Sequence, residues 1–305
     1  MEPKHINLDD WVLSGGGAQG ESYFHKRDDG VLLKLLSPHL PLSLAEEEFF
    51  AAKDIYDAGF PCIKPLEVVT DGQRFGLIIP RIRNKVSFCT AVGKDPACLD
   101  DMARRLAKAG RLLHTTVADK TKFKSVLSVY RDLWRASRNP DKAYLAACDR
   151  ILSDMERDDV SCTYLHGDFH FGNMITDGER DYMIDLGAFA YGNPLFDLSM
   201  FYFSTHLMPP GATEKVYHIT DAQALEFWNA FKKYYYGGIP GGDAGATPGR
   251  IPDDACTAPG PIPDDADLER QFGPYLLLRT LLFESYIGLD SFQLDYCRRF
   301  LALCR

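Results

Sequence analysis

The sequence predicts an α+β fold with two lobes, a small β-rich lobe containing one helix and a larger, mainly helical lobe. Short apolar runs separated by turn signals fill most of the first 80 residues, a pattern typical of strands. From residue 96 onward, apolar residues recur mostly at helical spacing. A length of 305 residues fits about two domains. We therefore expect lobes at 1–80 and 81–305.

The first lobe begins with a predicted hairpin, because two apolar runs flank the turn signal at Asp28-Asp29-Gly30. A helix is predicted over 43–58, with Ser43 as its N-cap and Glu46 three residues later. Two more strands are expected at 63–70 and 74–79.

The second lobe contains several predicted helices and three short predicted strands. The helices are expected around 99–113 and at 123–137, 142–155, 194–205, 222–236, 268–286 and 291–303, and the strands at 162–165, 174–176 and 182–184. Residues 237–263 contain 7 Gly and 6 Pro and repeat the fragment IPDDA. Such a composition predicts a flexible Gly/Pro/Asp-rich insertion over 237–267.

The charge balance narrows the classes of partner. With 43 acidic and 34 basic side chains the net charge is −9, so nucleic-acid binding is not expected. An acidic surface suits a cationic small molecule, or simply solubility. The sequence shows no secretory signal, no apolar run long enough to span a membrane and no C-x-x-C pair. We therefore expect a cytoplasmic protein with reduced thiols; the sequence does not indicate an oligomeric state.

A glycine-rich loop lies between the short apolar run at 11–13 and the segment 22–26 that leads into the predicted hairpin turn. Gly15, Gly17 and Gly20 fit G-x-G-x-x-G, but a strand rather than a helix follows them. This context favours a flap over nucleotide phosphates, with an ordinary glycine-rich hairpin as the alternative.

A lysine interrupts the apolar strand that follows. Lys34 is costly to bury without a partner, so we expect an ion pair with an acid of the next helix and contact with nucleotide phosphates. Glu48 shares the inward face of that helix and is the first candidate, and Glu47 the second. The alternatives are a lysine that reaches solvent from an edge strand and glutamates that complement the helix dipole.

The strongest motif is HGDFHFGN at 166–173, followed by IDLG at 184–187. Phosphoryl transfer to a hydroxyl needs an acceptor for the hydroxyl proton and oxygen ligands for Mg²⁺. Asp168, Asn173 and Asp185 would supply these groups. The competing interpretation is a metal-dependent hydrolase that uses the His-x-Asp-x-His segment as ligands.

These strings, together with GNPLFDLS at 192–199, resemble the aminoglycoside phosphotransferase and choline kinase group. The resemblance covers residues 10–205 clearly. It implies a bilobal protein-kinase-like fold and ATP-dependent phosphorylation of a small-molecule hydroxyl, with aminoglycoside-, choline- and amino-sugar-like acceptors all open. A protein kinase is an alternative, although the loop reads His-Gly-Asp rather than His-Arg-Asp. A nucleotide-binding module without activity is a further alternative.

The resemblance also implies roles for single residues of the catalytic loop. Asp168 resembles the catalytic base, and Asn173 and Asp185 resemble the magnesium ligands. His166 and His170 are expected to position the loop.

Further roles concern the nucleotide and the support of the loop. Lys34 resembles the lysine that contacts the α- and β-phosphates of ATP or another nucleoside triphosphate, and Glu48 its partner. Adenine would accept a hydrogen bond from the backbone of Arg81 or Ile82, because Pro80 has no N–H. Ser22 could contact phosphate. Asp197 resembles an aspartate that supports the catalytic loop, with a helix N-terminal acid as the alternative.

Overall fold

The computed structural model describes residues 2–17, 20–158, 160–238, 262–289 and 291–304. It confirms the α+β fold class, with a mixed sheet near the N-terminus and a mainly helical remainder. The chain forms two compact units. The first comprises Met1–Phe88 and Gly172–Ala188, and the second comprises Cys89–Phe171 and Phe189–Arg305. Residues 172–188, predicted as part of the second lobe, group with the first unit. The two-lobe boundary at residue 80 stays a prediction.

The described strands are β1 (Lys4–His5), β2 (Trp11–Gly17), β3 (Gly20–His25), β4 (Val31–Leu36), β5 (Glu67–Thr70), β6 (Phe75–Pro80), β7 (Val86–Ser87), β8 (Thr163–Leu165), β9 (Met174–Thr176), β10 (Asp181–Met183) and β11 (Ala190–Gly192). The described helices are α1 (Leu42–Asp57), α2 (Phe88–Lys94), α3 (Leu99–Thr115), α4 (Val126–Ala136), α5 (Lys142–Asp158), α6 (Leu195–Tyr202), α7 (Ala212–Tyr217), α8 (Asp221–Gly237), α9 (Asp265–Ile287) and α10 (Ser291–Leu303).

The first unit contains a six-stranded sheet in the order β1-β5-β6-β4-β3-β2. All neighbours are antiparallel except β1 and β5, which are parallel. The predicted hairpin is present as β3 and β4. A separate three-stranded sheet pairs β9 with β10 and β7.

Alternation along β4 determines which side chains face α1. Leu33 and Leu35 are fully buried in a cluster on one face of the sheet. Leu36 points to the other face and packs with Ala45 and Phe49 of α1. Because side chains alternate along a strand, Lys34 shares the face of Leu36 and therefore lies on the α1 side.

Two predicted boundaries of the first unit need correction. Helix α1 begins at Leu42, and its N-cap is Pro41, which makes no side-chain capping bond, so Ser43 is not the cap. Strand β5 begins at Glu67 rather than at residue 63. Pro65 lies in the predicted extension, and a proline has no N–H to donate to a sheet.

The second unit packs its helices around buried aromatic rings. Helices α3 and α8 lie against each other, and the short strands β8 and β11 pair beside the loop that follows β8. The fully buried rings include Phe169 and Phe171 of that loop, which contact Phe201 of α6. The loop is therefore part of the core of this unit.

The predicted insertion at 237–267 reaches the described structure only at its ends, and residues 239–261 lie outside it. Helix α9 begins at Asp265, three residues before the predicted start. Asp264 caps the helix by accepting from the N–H of Asp267. Asp265 accepts hydrogen bonds from Lys232 and Trp228 of α8. The second IPDDA copy therefore starts a helix, and the first copy falls outside the described residues.

None of the described helices is both long enough and apolar enough to cross a membrane.

The replacement Gly20→Ala is expected to destabilise the protein by about 2 kcal/mol. A Cβ at this position would overlap the backbone carbonyl of Leu35. Calorimetry should show a fall in Tm of roughly 4 °C or more. Gly15→Ala, in the same hairpin, is the control, because nothing lies within 4 Å of the Cβ it would add. Equal Tm values for the two variants would contradict the close approach of Gly20 to the backbone of Leu35.

Candidate active site

Three charged side chains predicted for the nucleotide site meet in the first unit. The Nζ of Lys34 lies 2.7 Å from Oε1 of Glu48 and 2.9 Å from Oδ1 of Asp185. The ion pair with Glu48, rather than Glu47, is therefore present as predicted. Glu48 lies on the inward face of α1, between the buried residues Ala45 and Ala52.

The electrostatics of this cluster favour a charged lysine. Burial by itself lowers the pKa of Lys34, but the carboxylates of Glu48 and Asp185 outweigh that effect and raise the pKa above its ordinary value. The side chain of Asp185 is 54% exposed, whereas those of Lys34 and Glu48 are 24% and 16% exposed. The cluster thus presents a charged ammonium group beside an accessible carboxylate.

The backbone at Asp185 is unusual. Its φ angle is 58°, in the left-handed region that few non-glycine residues adopt. The neighbouring N–H of Ile184 donates to the carbonyl oxygen of Asn173 at 3.0 Å, which brings the segments that carry Asn173 and Asp185 together. Backbone strain of this kind occurs often at functional sites, where the surrounding structure stabilises it.

The glycine motif forms a hairpin rather than an open loop. Gly15 pairs with Ser22 and Gly17 with Gly20, and the tip, residues 18–19, lies outside the described residues. Gly20 needs to be glycine because of its close approach to β4, which explains that position without a ligand. Ser22 lies directly opposite Lys34 in the β3–β4 register, so the two share one face of the sheet.

The predicted adenine-binding segment follows β6. The backbone N–H of Arg81 donates to the carbonyl oxygen of Gly30 at 2.9 Å. Its guanidinium group lies over the ring of Phe24 and pairs with Asp29. The N–H of Arg81 is therefore already used, and of the two predicted donors Ile82 is the remaining candidate.

Asp168 lies in the second unit, on the loop after β8. Its carboxylate is 42% exposed and 3.6 Å from Nε2 of His170. Its backbone N–H lies 3.4 Å from Nδ1 of His166. Burial by itself raises the pKa of Asp168, but His170, the charge of Arg279 and His166 outweigh it, so the pKa falls well below its usual value. The group is ionised and accessible.

A buried carboxylate supports this loop, as predicted for Asp197. Its side chain is fully buried and accepts from the backbone N–H groups of His166 at 2.7 Å and Gly167 at 2.9 Å. His114 Nε2 lies 3.1 Å from the same carboxylate. Burial opposes the charge of Asp197, but these hydrogen bonds and the nearby histidines lower its pKa. If Asp197 only complemented the dipole of its own helix, the loop N–H groups of His166 and Gly167 would not donate to its carboxylate.

Two residues of this environment, His114 and Arg279, were not predicted from the sequence. His114 connects Asp197 to the hydroxyl group of Tyr235, whose oxygen lies 2.8 Å from Nδ1. Arg279 donates to the carbonyl of Gly167. A sequence signal existed for Arg279, because one charge interrupts the apolar run at 275–283. Among the described residues, no group of three or more His, Cys, Asp or Glu could hold a metal ion.

Comparisons with known proteins show similarity in sequence and in fold. The model of the phosphotransferase enzyme family matches residues 11–232. A choline/ethanolamine kinase family protein from Mesorhizobium loti is 16% identical with a TM-score of 0.55, covering 96% of this chain and 86% of that one. No curated protein matches the chain in sequence.

Two further solved structures carry ligands. A thermostable mutant of aminoglycoside phosphotransferase APH(4)-Ia, in complex with AMP-PNP and hygromycin B, is 13% identical with a TM-score of 0.59, covering 97% of this chain and 91% of that one. The amicoumacin kinase hAmiN, in complex with AMP-PNP, Ca²⁺ and Ami, is 14% identical with a TM-score of 0.58, covering 99% and 90%. These similarities confirm the protein-kinase-like fold.

The replacement Glu48→Gln is expected to lower the pKa of Lys34, because it removes one of the two carboxylates that stabilise the ammonium form. Only the neutral amine reacts with acetylating reagents, so Lys34 should be acetylated about tenfold faster at pH 9 for each unit by which its pKa falls. Mass spectrometry of peptides would measure the rate. The matched control is Glu47→Gln, at an exposed position of the same helix. Equal Lys34 rates in wild type and both variants would contradict the ion pair.

Proposed function

Because this chain belongs to the phosphotransferase enzyme family, we propose that it transfers the γ-phosphoryl group of ATP to a hydroxyl group of a small, amine-bearing molecule. The single observation that carries the proposal is the contact of Lys34 with both Glu48 and Asp185. A lysine held in the charged form by two carboxylates suits nucleotide phosphates, and a half-exposed carboxylate beside it suits the metal ion that accompanies them.

Asp168 acts on the acceptor. The hydroxyl oxygen attacks the γ-phosphorus, and a new P–O bond forms as the bond from that phosphorus to the β,γ-bridging oxygen breaks. ADP leaves, and the carboxylate of Asp168 takes the hydroxyl proton and then releases it to solvent. The lowered pKa makes Asp168 a weak base, which is adequate because the transition state of phosphoryl transfer is loose. The carboxylate also orients the hydroxyl group before the attack.

The residues around Asp185 fit a magnesium ion. Mg²⁺ prefers oxygen ligands. The amide oxygen of Asn173 and the carboxylate oxygens of Asp185 are ligands of this kind. When bound, Mg²⁺ would neutralise negative charge on the β- and γ-phosphates. The left-handed backbone at Asp185 and the Ile184–Asn173 hydrogen bond hold the two segments in position.

The nucleotide and the acceptor class are supported by the ligands of similar structures. AMP-PNP is bound in both complexes described above, one with hygromycin B and one with Ca²⁺ and Ami. Aminoglycoside-, choline- and amino-sugar-like alcohols are therefore the acceptors to test. A cytoplasmic location is part of the proposal, because the seven described cysteines are all free thiols.

The replacement Asp168→Asn is expected to lower kcat by about 10²-fold or more, because the amide cannot accept the hydroxyl proton. The Kd for Mg²⁺ with AMP-PNP should stay within about twofold, since only the acceptor step changes. ADP release with Mg²⁺ and ATP would be measured against choline, ethanolamine, glucosamine and hygromycin B, with mass spectrometry of the phosphorylated product.

The matched control is Asp132→Asn, which removes a carboxylate that is 76% exposed on α4 of the same unit. It should keep wild-type kcat. A wild-type kcat for Asp168→Asn would show that Asp168 is not the base. ATP turnover in which phosphate passes only to water would contradict the transferase proposal.

A further inference from the structure

Arg279 is a buried charged residue of the second unit. The residue is 2% exposed on α9, within a mostly apolar run. It forms no ion pair with any described residue, and its Nε is buried without a hydrogen-bond partner among them. Burial of a charge is costly unless its groups are bound, so a buried arginine of this kind needs an explanation.

The contacts of Arg279 converge on the catalytic loop. Nη1 donates to the carbonyl oxygen of Gly167 at 2.7 Å, and Nη2 donates to the carbonyl oxygen of Phe196 at 3.1 Å. Gly167 directly precedes Asp168, and Phe196 directly precedes Asp197. One planar guanidinium group therefore joins the segment that carries Asp168 to the segment that carries its supporting carboxylate.

Gly167 is consequently held from both sides. Its N–H donates to Asp197 at 2.9 Å, while its carbonyl accepts from Arg279. Its φ of 82° lies in the left-handed region, which glycine adopts without strain. With both peptide groups fixed, the direction of the chain into Asp168 is fixed as well.

We propose that Arg279 is a positioning residue for Asp168, acting through the carbonyl of Gly167. The inference rests on the proposed function for its catalytic consequence, but the restraint on the loop can be measured without a substrate. Arg279 lies outside residues 11–232, which the family model matches. The charge of Arg279 also contributes to the lowered pKa of Asp168, which keeps the carboxylate ionised.

A merely structural arginine in the same unit behaves differently. Arg131 of α4 is 13% exposed and pairs with the carboxylates of Asp149 and Glu156. Its contacts stabilise the α4–α5 pair and do not include the catalytic loop. Arg131→Met is therefore the matched control for Arg279→Met. Each replacement removes a guanidinium group that donates hydrogen bonds within the second unit, but only Arg279 donates to the loop.

The first measurement is hydrogen–deuterium exchange of the wild type and both variants. Arg279→Met should raise exchange of peptides that cover residues 166–171 about tenfold, because local opening becomes easier. Arg131→Met should leave those peptides unchanged. Unchanged exchange in Arg279→Met would overturn the proposal. If that variant does not fold, exchange is measured in Arg279→Lys instead. One ammonium group then replaces two directed donors, so exchange of residues 166–171 should rise by less than tenfold but above the wild-type value.

The second measurement is kinetic, with ATP, Mg²⁺ and the acceptor from the panel above that the wild type phosphorylates. Arg279→Met should lower kcat by about 10- to 100-fold, with KM for ATP within about twofold and partial rescue in Arg279→Lys. Equal losses in Arg131→Met would overturn the positioning role. If the wild type phosphorylates no hydroxyl compound, the proposed function fails, while the exchange result still decides whether Arg279 holds the loop.

Discussion

The buried carboxylate of Asp197 is the constraint on which the loop carrying Asp168 depends. A fully buried charge is unfavourable unless nearly all of its hydrogen-bonding capacity is used. Asp197 uses it on two consecutive backbone N–H groups and His114, so the charge and the loop stabilise each other. Arg279 adds a bond to the opposite side of the same peptide segment. These buried partners restrain the backbone of the loop at residues 166 and 167.

The first unit achieves a similar result with different groups. Lys34 interrupts a buried strand, and its charge is compensated by Glu48 of α1 and by Asp185, whose backbone is in a left-handed conformation. In both units a costly charge or conformation is placed beside a residue of the proposed chemistry. Phosphoryl transfer depends mainly on positioning and on charge stabilisation, so preorganised charges of this kind are the property that such a reaction needs.

Local sequence patterns predicted the parts of this arrangement that depend on nearby residues. The helical face of Glu48, the strand position of Lys34 and the supporting role of Asp197 all followed from spacing or from the family resemblance. The predicted start of α1 was wrong because Pro41, rather than Ser43, occupies the N-cap position, and it forms no side-chain capping bond. The apolar run at 275–283 indicates that Arg279 is a buried charge, but its partners are backbone carbonyls 112 and 83 residues away, and a sequence pattern contains no information about carbonyl direction. The bond between Arg81 and Gly30 was missed for the same reason.

The support of the loop requires an ionised Asp197. A protonated carboxyl group would place a hydrogen-bond donor among the N–H donors of the loop, and one of its oxygens could no longer accept from them as well. The direct measurement is a ¹³C NMR titration of aspartate carboxyl carbons, with Asp197 assigned by Asp197→Asn. Its pKa is lowered, so the signal should stay at the carboxylate position from pH 8 down to about pH 4, where ordinary aspartates are about half protonated. A signal at the neutral carboxyl position near pH 7 would contradict this account.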